Sequence, residues 1–175
     1  MIHNCSLWLV LKEFLDNPQK KFHMRGIGRS IKLAPTSVRL HINRLIKEGL
    51  VKEKKDDVFK YFIANFDNEK FRFYKKINTL IKIQESGLIE YLNDKLSPGT
   101  IILFGSAAKG EDLANSDLDL FIQAKSKALA LDKYEQSLKR KVQCFMYTSL
   151  NKAPKELRNN IINGIKIDGY IKIWN

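Results

Sequence analysis

The chain has 175 residues, 44% of them hydrophobic, and a formal net charge of +12. That length and apolar content suffice for two small domains with a helical connector, each able to bury a core. Two cysteines, Cys5 and Cys144, fall in apolar surroundings of different predicted modules, and His3, His23 and His41 show no metal-ligand spacing. A disulfide framework and a zinc site are therefore excluded, and the thiols read as reduced core residues of a cytoplasmic protein. The apolar run SLWLVL is too short for a membrane span and leads into Lys12 and Glu13, so no signal or membrane segment is expected.

Taken in order, residues 1–65 predict three helices and a hairpin. The first helix, roughly Ser6 to Leu15, carries Leu7, Leu11, Phe14 and Leu15 at helical spacing and stops before Asn17-Pro18. A short second helix, about Arg25 to Ile31, is followed by a turn over Lys32 to Ala34. The third runs from Pro35, tolerated at a first helical position, to Glu48, ahead of Gly49. Val38, Ile42, Leu45 and Ile46 form its apolar face. Its opposite face offers Thr36, Ser37, Arg39, Asn43 and Arg44, groups suited to phosphates and base edges. Leu50-Val51 begins a strand, KEKKDD reads as a charged turn, and Val58 to Ile63 returns as the second strand. The whole pattern resembles the winged helix-turn-helix of small bacterial and archaeal transcription regulators, which implies binding to double-stranded DNA. Charge agrees: residues 1–65 hold 13 Lys and Arg against 6 Asp and Glu, a +7 excess in about a third of the chain.

Residues 66–97 read as a helical connector, with Phe71, Tyr74, Ile77, Leu80 and Ile81 as an apolar stripe and a break at Ser86-Gly87. The stripe suits a core or the seam of a homodimer, which would present two recognition helices to a palindromic site.

Residues 98–175 hold the most specific pattern. Ile101 to Phe104 is a buried strand that stops at Gly105, where backbone N–H groups can approach an anion; Ser106 adds a hydroxyl and Lys109 a point charge one turn on. Ten residues after Ser106 comes a second strand, Asp117 to Ile122. Its alternation puts Asp117 and Asp119 on one face and Leu118 and Leu120 on the other. Two carboxylates beside a phosphate cradle suit a hard divalent cation such as magnesium. A helix-like stretch from about Ser126 to Leu138 then leads to a strand at Val142 to Tyr147, and Ile161 to Trp174 reads as a helix end, a turn and a last strand.

A Gly-Ser pair, ten residues and Asp-x-Asp resemble the signature of the minimal nucleotidyltransferases of the DNA polymerase beta-like superfamily. The resemblance covers roughly Gly99 to Asn175 and implies a small mixed sheet with helices packed on it, hence an α+β chain. It implies nucleotide binding by Gly105, Ser106 and Lys109. Asp117 and Asp119 would be catalytic and would hold Mg2+, two ions in active members. The reaction implied is transfer of a nucleoside monophosphate from a triphosphate, ATP above all, to a protein or small-molecule hydroxyl. Within the family such domains also serve as antitoxins that modify a HEPN-type toxin. Active members carry a third carboxylate on a later strand, and alternation puts Gln143 there. An amide brings no negative charge and is no base near neutral pH, so Glu111, Asp112 and Asp132 are the acids that could compensate. The other reading is a transcription regulator whose transferase domain is inactive and serves as a nucleotide sensor or dimerisation platform.

Overall fold

Residues 5–171 are described, in a computed structural model. His3 and the predicted strand end near Trp174 lie outside them. The chain is mixed α and β and divides between Asn78 and Thr79 into two compact units, each with its own core.

In the first unit, helix α1 (Ser6–Asp16) buries Val10, Leu11, Phe14 and Leu15, the face its apolar spacing marks out. Helix α2 (Met24–Ile31) is joined to α3 (Pro35–Lys47) by Lys32, Leu33 and Ala34. Lys32 takes the left-handed conformation, φ 54°, and Leu33 N–H donates to Gly28 O at 3.0 Å, which closes the tight turn. Strands β1 (Val51–Lys55) and β2 (Lys60–Ala64) pair antiparallel, and Phe22 bridges to Phe62 on the far side of β2. The charged residues read as a turn thus belong partly to a strand: Lys52 to Lys55 sit in β1, and the turn is Asp56 to Phe59. Alternation is invisible here because Lys52 to Lys55 are all exposed, and the pairing rests on the ladder itself and on a Lys60–Glu53 ion pair at 2.6 Å. The core joins Phe14, Phe22, Ile27, Val38, Ile42, Leu45 and Phe62, with the Phe14 and Phe22 rings 4.8 Å apart. Cys5 is exposed, not a core residue, because it lies just ahead of α1 and outside its buried face.

The stretch 66–97 forms α4 (Glu69–Glu85) and α5 (Leu88–Leu96), broken at Ser86-Gly87, and it is shared between the two units. The buried side of α4 is not the apolar stripe alone: Lys75, Asn78 and Thr79 are buried, while Ile77, Leu80 and Ile81 keep partial exposure. Lys75 Nζ donates to Leu15 O at 2.9 Å and Asn78 Nδ2 to Asp16 Oδ1 at 2.7 Å. Both capture the C-terminal end of α1, where unpaired carbonyls and the helix dipole favour a cation.

The second unit is a four-stranded mixed sheet in the order β5-β4-β3-β6. Strand β3 (Thr100–Phe104) runs into the five-residue helix α6 (Gly105–Lys109). After a loop come β4 (Leu118–Gln123), α7 (Asp132–Leu138), β5 (Val142–Tyr147), a short 3-10 turn, α8 (Lys155–Ile162) and β6 (Ile165–Gly169). β3 is antiparallel to β4 and β6, and β4 is parallel to β5. Ile101, Leu103, Leu118, Leu120 and Ile122 join one apolar cluster with α5 and α7, whereas Ile102, Phe104, Phe121 and Ile161 form a second on the opposite face. The helix read from Ser126 is shorter than its sequence suggests. Ala130 N–H donates to the Tyr91 hydroxyl and Lys127 Nζ to Lys95 O, so contacts with α5 hold residues 125–131 out of a helix.

Replacing Lys75 by Met keeps the apolar bulk but strips the donor from the end of α1. The variant is expected to lose about 1–2 kcal/mol of stability in urea unfolding; an unchanged midpoint would show that water replaces the ammonium without loss.

Candidate active site

Strand register assembles the site. Phe104 is paired with Asp119, and Asp119 with Gln143, so the end of β3, the start of β4 and the start of β5 lie in one row. Because Leu118 and Leu120 are buried in one cluster, Asp119 and Phe121 must face the other side. Asp117 stands one residue before the strand. Its carboxylate is nonetheless brought to the same side, since Gln143 Nε2 donates to Asp117 Oδ2 at 2.5 Å.

Gly105 serves the site in a second way. Its φ is +72°, and a Cβ at this position would collide with the carboxylate of Asp119. The glycine is thus required both by the left-handed turn and by the closeness of Asp119 to the backbone. Ser106 follows, partly exposed, and Lys109 closes α6 in solvent.

Electrostatics single out Asp119. Its carboxyl is pushed above the ordinary carboxylate range, first by burial and then by the neighbouring Asp117, while Arg140 works in the opposite direction. Two neighbouring acids, one of them hydrogen-bonded to the neutral amide of Gln143, could hold one hard divalent ion. Among the described residues no group of three or more His, Cys, Asp or Glu has metal-site geometry.

One supporting residue was hidden in the sequence, where Lys139, Arg140 and Lys141 look like a single basic run. Arg140 is only 10% exposed, and its guanidinium makes three contacts: Nε to Ser116 O at 2.6 Å, Nη1 to Asp112 Oδ2 at 2.7 Å and Nη2 to Asp117 O at 3.0 Å. It clamps the loop before β4 and so sets where Asp117 begins. Only the forked, permanently charged Arg suits that task; the two flanking lysines do not. The signal available in sequence was the single Arg between lysines just ahead of a strand. The same contact removes Asp112 from the acids that could replace a catalytic carboxylate, for it is buried against Arg140. Asp132 instead helps line a cleft of about 430 Å3 beside Asp117, together with Glu135, Lys139 and Lys141. Glu135 accepts from Lys141 Nζ at 2.5 Å and Val142 N–H at 3.0 Å, which pins α7 to the start of β5. Cys144, on β5, has its thiol pushed up to about 11 by burial and is chemically quiet.

A raised carboxyl pKa means that the folded chain holds the Asp119 proton more tightly than the unfolded chain does. Stability of the unliganded protein should therefore fall as pH rises from the ordinary carboxylate value through the raised one. Asp119→Asn removes this penalty. Thermal melts should place the variant above the parent at pH 7 and converge with it below pH 4, the ordinary value being 3.8; a variant that melts lower at pH 7 would contradict the assignment.

Among the described residues no helix is long and apolar enough to cross a membrane. No curated protein and no solved structure matches the chain. The family model for Polbeta, described as Polymerase beta, Nucleotidyltransferase, matches residues 86–168, from the break before α5 through most of β6. Those residues hold Gly105, the Asp117–Asp119 pair, Gln143 and all of the mixed sheet but Gly169, and the match supports a nucleotidyltransferase domain of the polymerase beta kind at 86–168.

Proposed function

We propose that the chain is a DNA-binding protein whose nucleotidyltransferase domain binds a nucleoside triphosphate, ATP above all, with Mg2+ at Asp117 and Asp119, and transfers its nucleoside monophosphate to a hydroxyl. The carrying observation is the row Phe104–Asp119–Gln143 closed by the Gln143–Asp117 hydrogen bond. Gly105, Ser106 and Lys109 are assigned to the triphosphate. The cation, once bound, would neutralise charge on the phosphates and orient the α-phosphorus for attack by the acceptor oxygen, with pyrophosphate leaving. Gln143 orients Asp117 but accepts no proton, so the acceptor proton must leave through water or through an acid that a partner supplies. A protein acceptor is the reading we prefer, including a HEPN-type toxin partner in the manner of antitoxin modifiers. Gln143 equally favours a second reading, a regulator that binds nucleotide and responds to it without transfer.

The first unit supports duplex DNA binding. Thr36, Arg39, Asn43 and Arg44 lie exposed along α3, with Ser37 partly buried and Lys47 added to the same face. The three helices, the three-residue turn and the hairpin support the reading of a winged helix-turn-helix. We extend the reading to a cytoplasmic homodimer, for which the half-exposed Phe73 on α4 offers apolar surface.

Calorimetry with ATP and Mg2+ should show binding to the parent and none to Asp117→Ala with Asp119→Ala; equal affinity in the two would remove the cation from these residues. Gln143→Asp should raise label transfer from ATP to a protein acceptor if the transferase reading holds. No transfer by either protein, with ATP binding intact, would favour the regulator.

Arg39→Ala with Arg44→Ala should weaken duplex binding and lower the slope of log affinity against log salt by about 1.8, two phosphate contacts at about 0.9 each. An unaltered slope would take α3 off the duplex.

A further inference from the structure

We infer that the first unit carries a second nucleic-acid surface, a cleft between α2 and the β1–β2 turn that takes unpaired nucleotides. The cleft measures about 750 Å3, and no residue of α3 lines it. Arg25 and Arg29 also border a smaller hollow that reaches Pro35 at the start of α3, so the two surfaces adjoin, and the inference stands whether or not α3 reads a duplex.

Four cations, Lys20, Lys21, Arg25 and Arg29, line it against one acid, Glu13, which already accepts a hydrogen bond from Ser30 at 2.9 Å. Arg25 and Arg29 lie four apart on α2, so they share a side of the helix and repel each other. Arg25 also stands in the first turn, which contains no acidic residue, where the helix dipole disfavours a cation. Neither is ion-paired with an acid among the described residues. A helix that keeps two such arginines is poorly arranged for its own stability and well arranged for an external polyanion.

The rim adds an aromatic platform. Phe59, at the tip of the hairpin, lines the same cleft and is 65% exposed, beside Val58 at 70%. The turn that carries it is shaped by Asp56, whose Oδ1 accepts from Val58 and Phe59 N–H, so the ring is held out by the backbone. An exposed phenyl ring in a cleft lined by cations matches the way unpaired bases are gripped, by stacking on aromatics with phosphates on Lys and Arg. A paired base hides its faces inside the stack and cannot use Phe59 this way. The cleft therefore suits a strand whose bases are unpaired.

The test uses the full chain and fluorescence anisotropy with labelled oligothymidylate, and in parallel a labelled hairpin duplex. Phe59→Ser should weaken oligothymidylate binding roughly tenfold. Arg25→Gln with Arg29→Gln should lower its salt slope by about 1.4, two phosphates at about 0.7 each. Both variants should hold the duplex as the parent does, whereas Arg39→Ala with Arg44→Ala should leave oligothymidylate binding unchanged. Three results would overturn the inference: oligothymidylate affinity indifferent to Phe59 and the arginines; duplex and single-strand affinity falling together, which would make the cleft part of the duplex site; or thymidine monophosphate competing as strongly as the oligomer, which would make it a small-nucleotide pocket. Phe59 is too exposed to support the core, and equal melting temperatures would verify that the variant is folded.

Discussion

Strand β4 can offer Asp119 to a ligand only because its alternate residues, Leu118, Leu120 and Ile122, are buried in the cluster with α5 and α7. A one-residue slip would turn the leucines to solvent and drive the carboxylate into the core, so the hydrophobic burial that holds the sheet also sets the direction of the acid. The antiparallel partner β3 then delivers Gly105 to the same end of the sheet, and the parallel partner β5 delivers Gln143. The rest of the site follows from those two registers.

Packing at this end is close enough to constrain residue type. Gly105 and the Asp119 carboxylate share a space that a methyl group would fill, and Arg140 reaches Asp112, Ser116 and Asp117 at once. Burial of Arg140 beside Asp112 is offset in part because Nε and Nη2 of the guanidinium donate to the backbone carbonyls of Ser116 and Asp117. The loop before β4 is thereby fixed without any regular secondary structure. What it holds in place is Asp117 beside Asp119, whose carboxyl is pushed up first by burial and then by that neighbouring charge.

The amide at Gln143 gives this domain a different balance from one with three acids. It donates to Asp117, whereas an acid there would repel it and need a metal or a proton to stay. The exchange replaces a repulsion with a hydrogen bond at the start of β5. The basic first unit shows the opposite arrangement, with surface charge left unbalanced on α2 and α3.

Much of this was legible from residue order. Helical spacing in α1 and α3, the break at Ser86-Gly87, strand β5 to the residue, and the Gly105, Ser106, Asp117, Asp119 pattern all rest on local chemistry and periodicity, which a linear chain displays directly. The position of Gln143 was also readable, because alternation along a strand needs no knowledge of its neighbours. Other features depend on partners distant in sequence. Residues 125–131 stay out of a helix because Tyr91 and Lys95 hold them; Lys75 is buried because α1 ends beside it; Lys52 to Lys55 form a strand because β2 pairs with them. Arg140 looked like one charge in a run until the fold folded Asp112 and Asp117 around it. Local propensity is written in neighbours along the chain, whereas the destination of a polar side chain is decided by which groups the fold leaves in need of one.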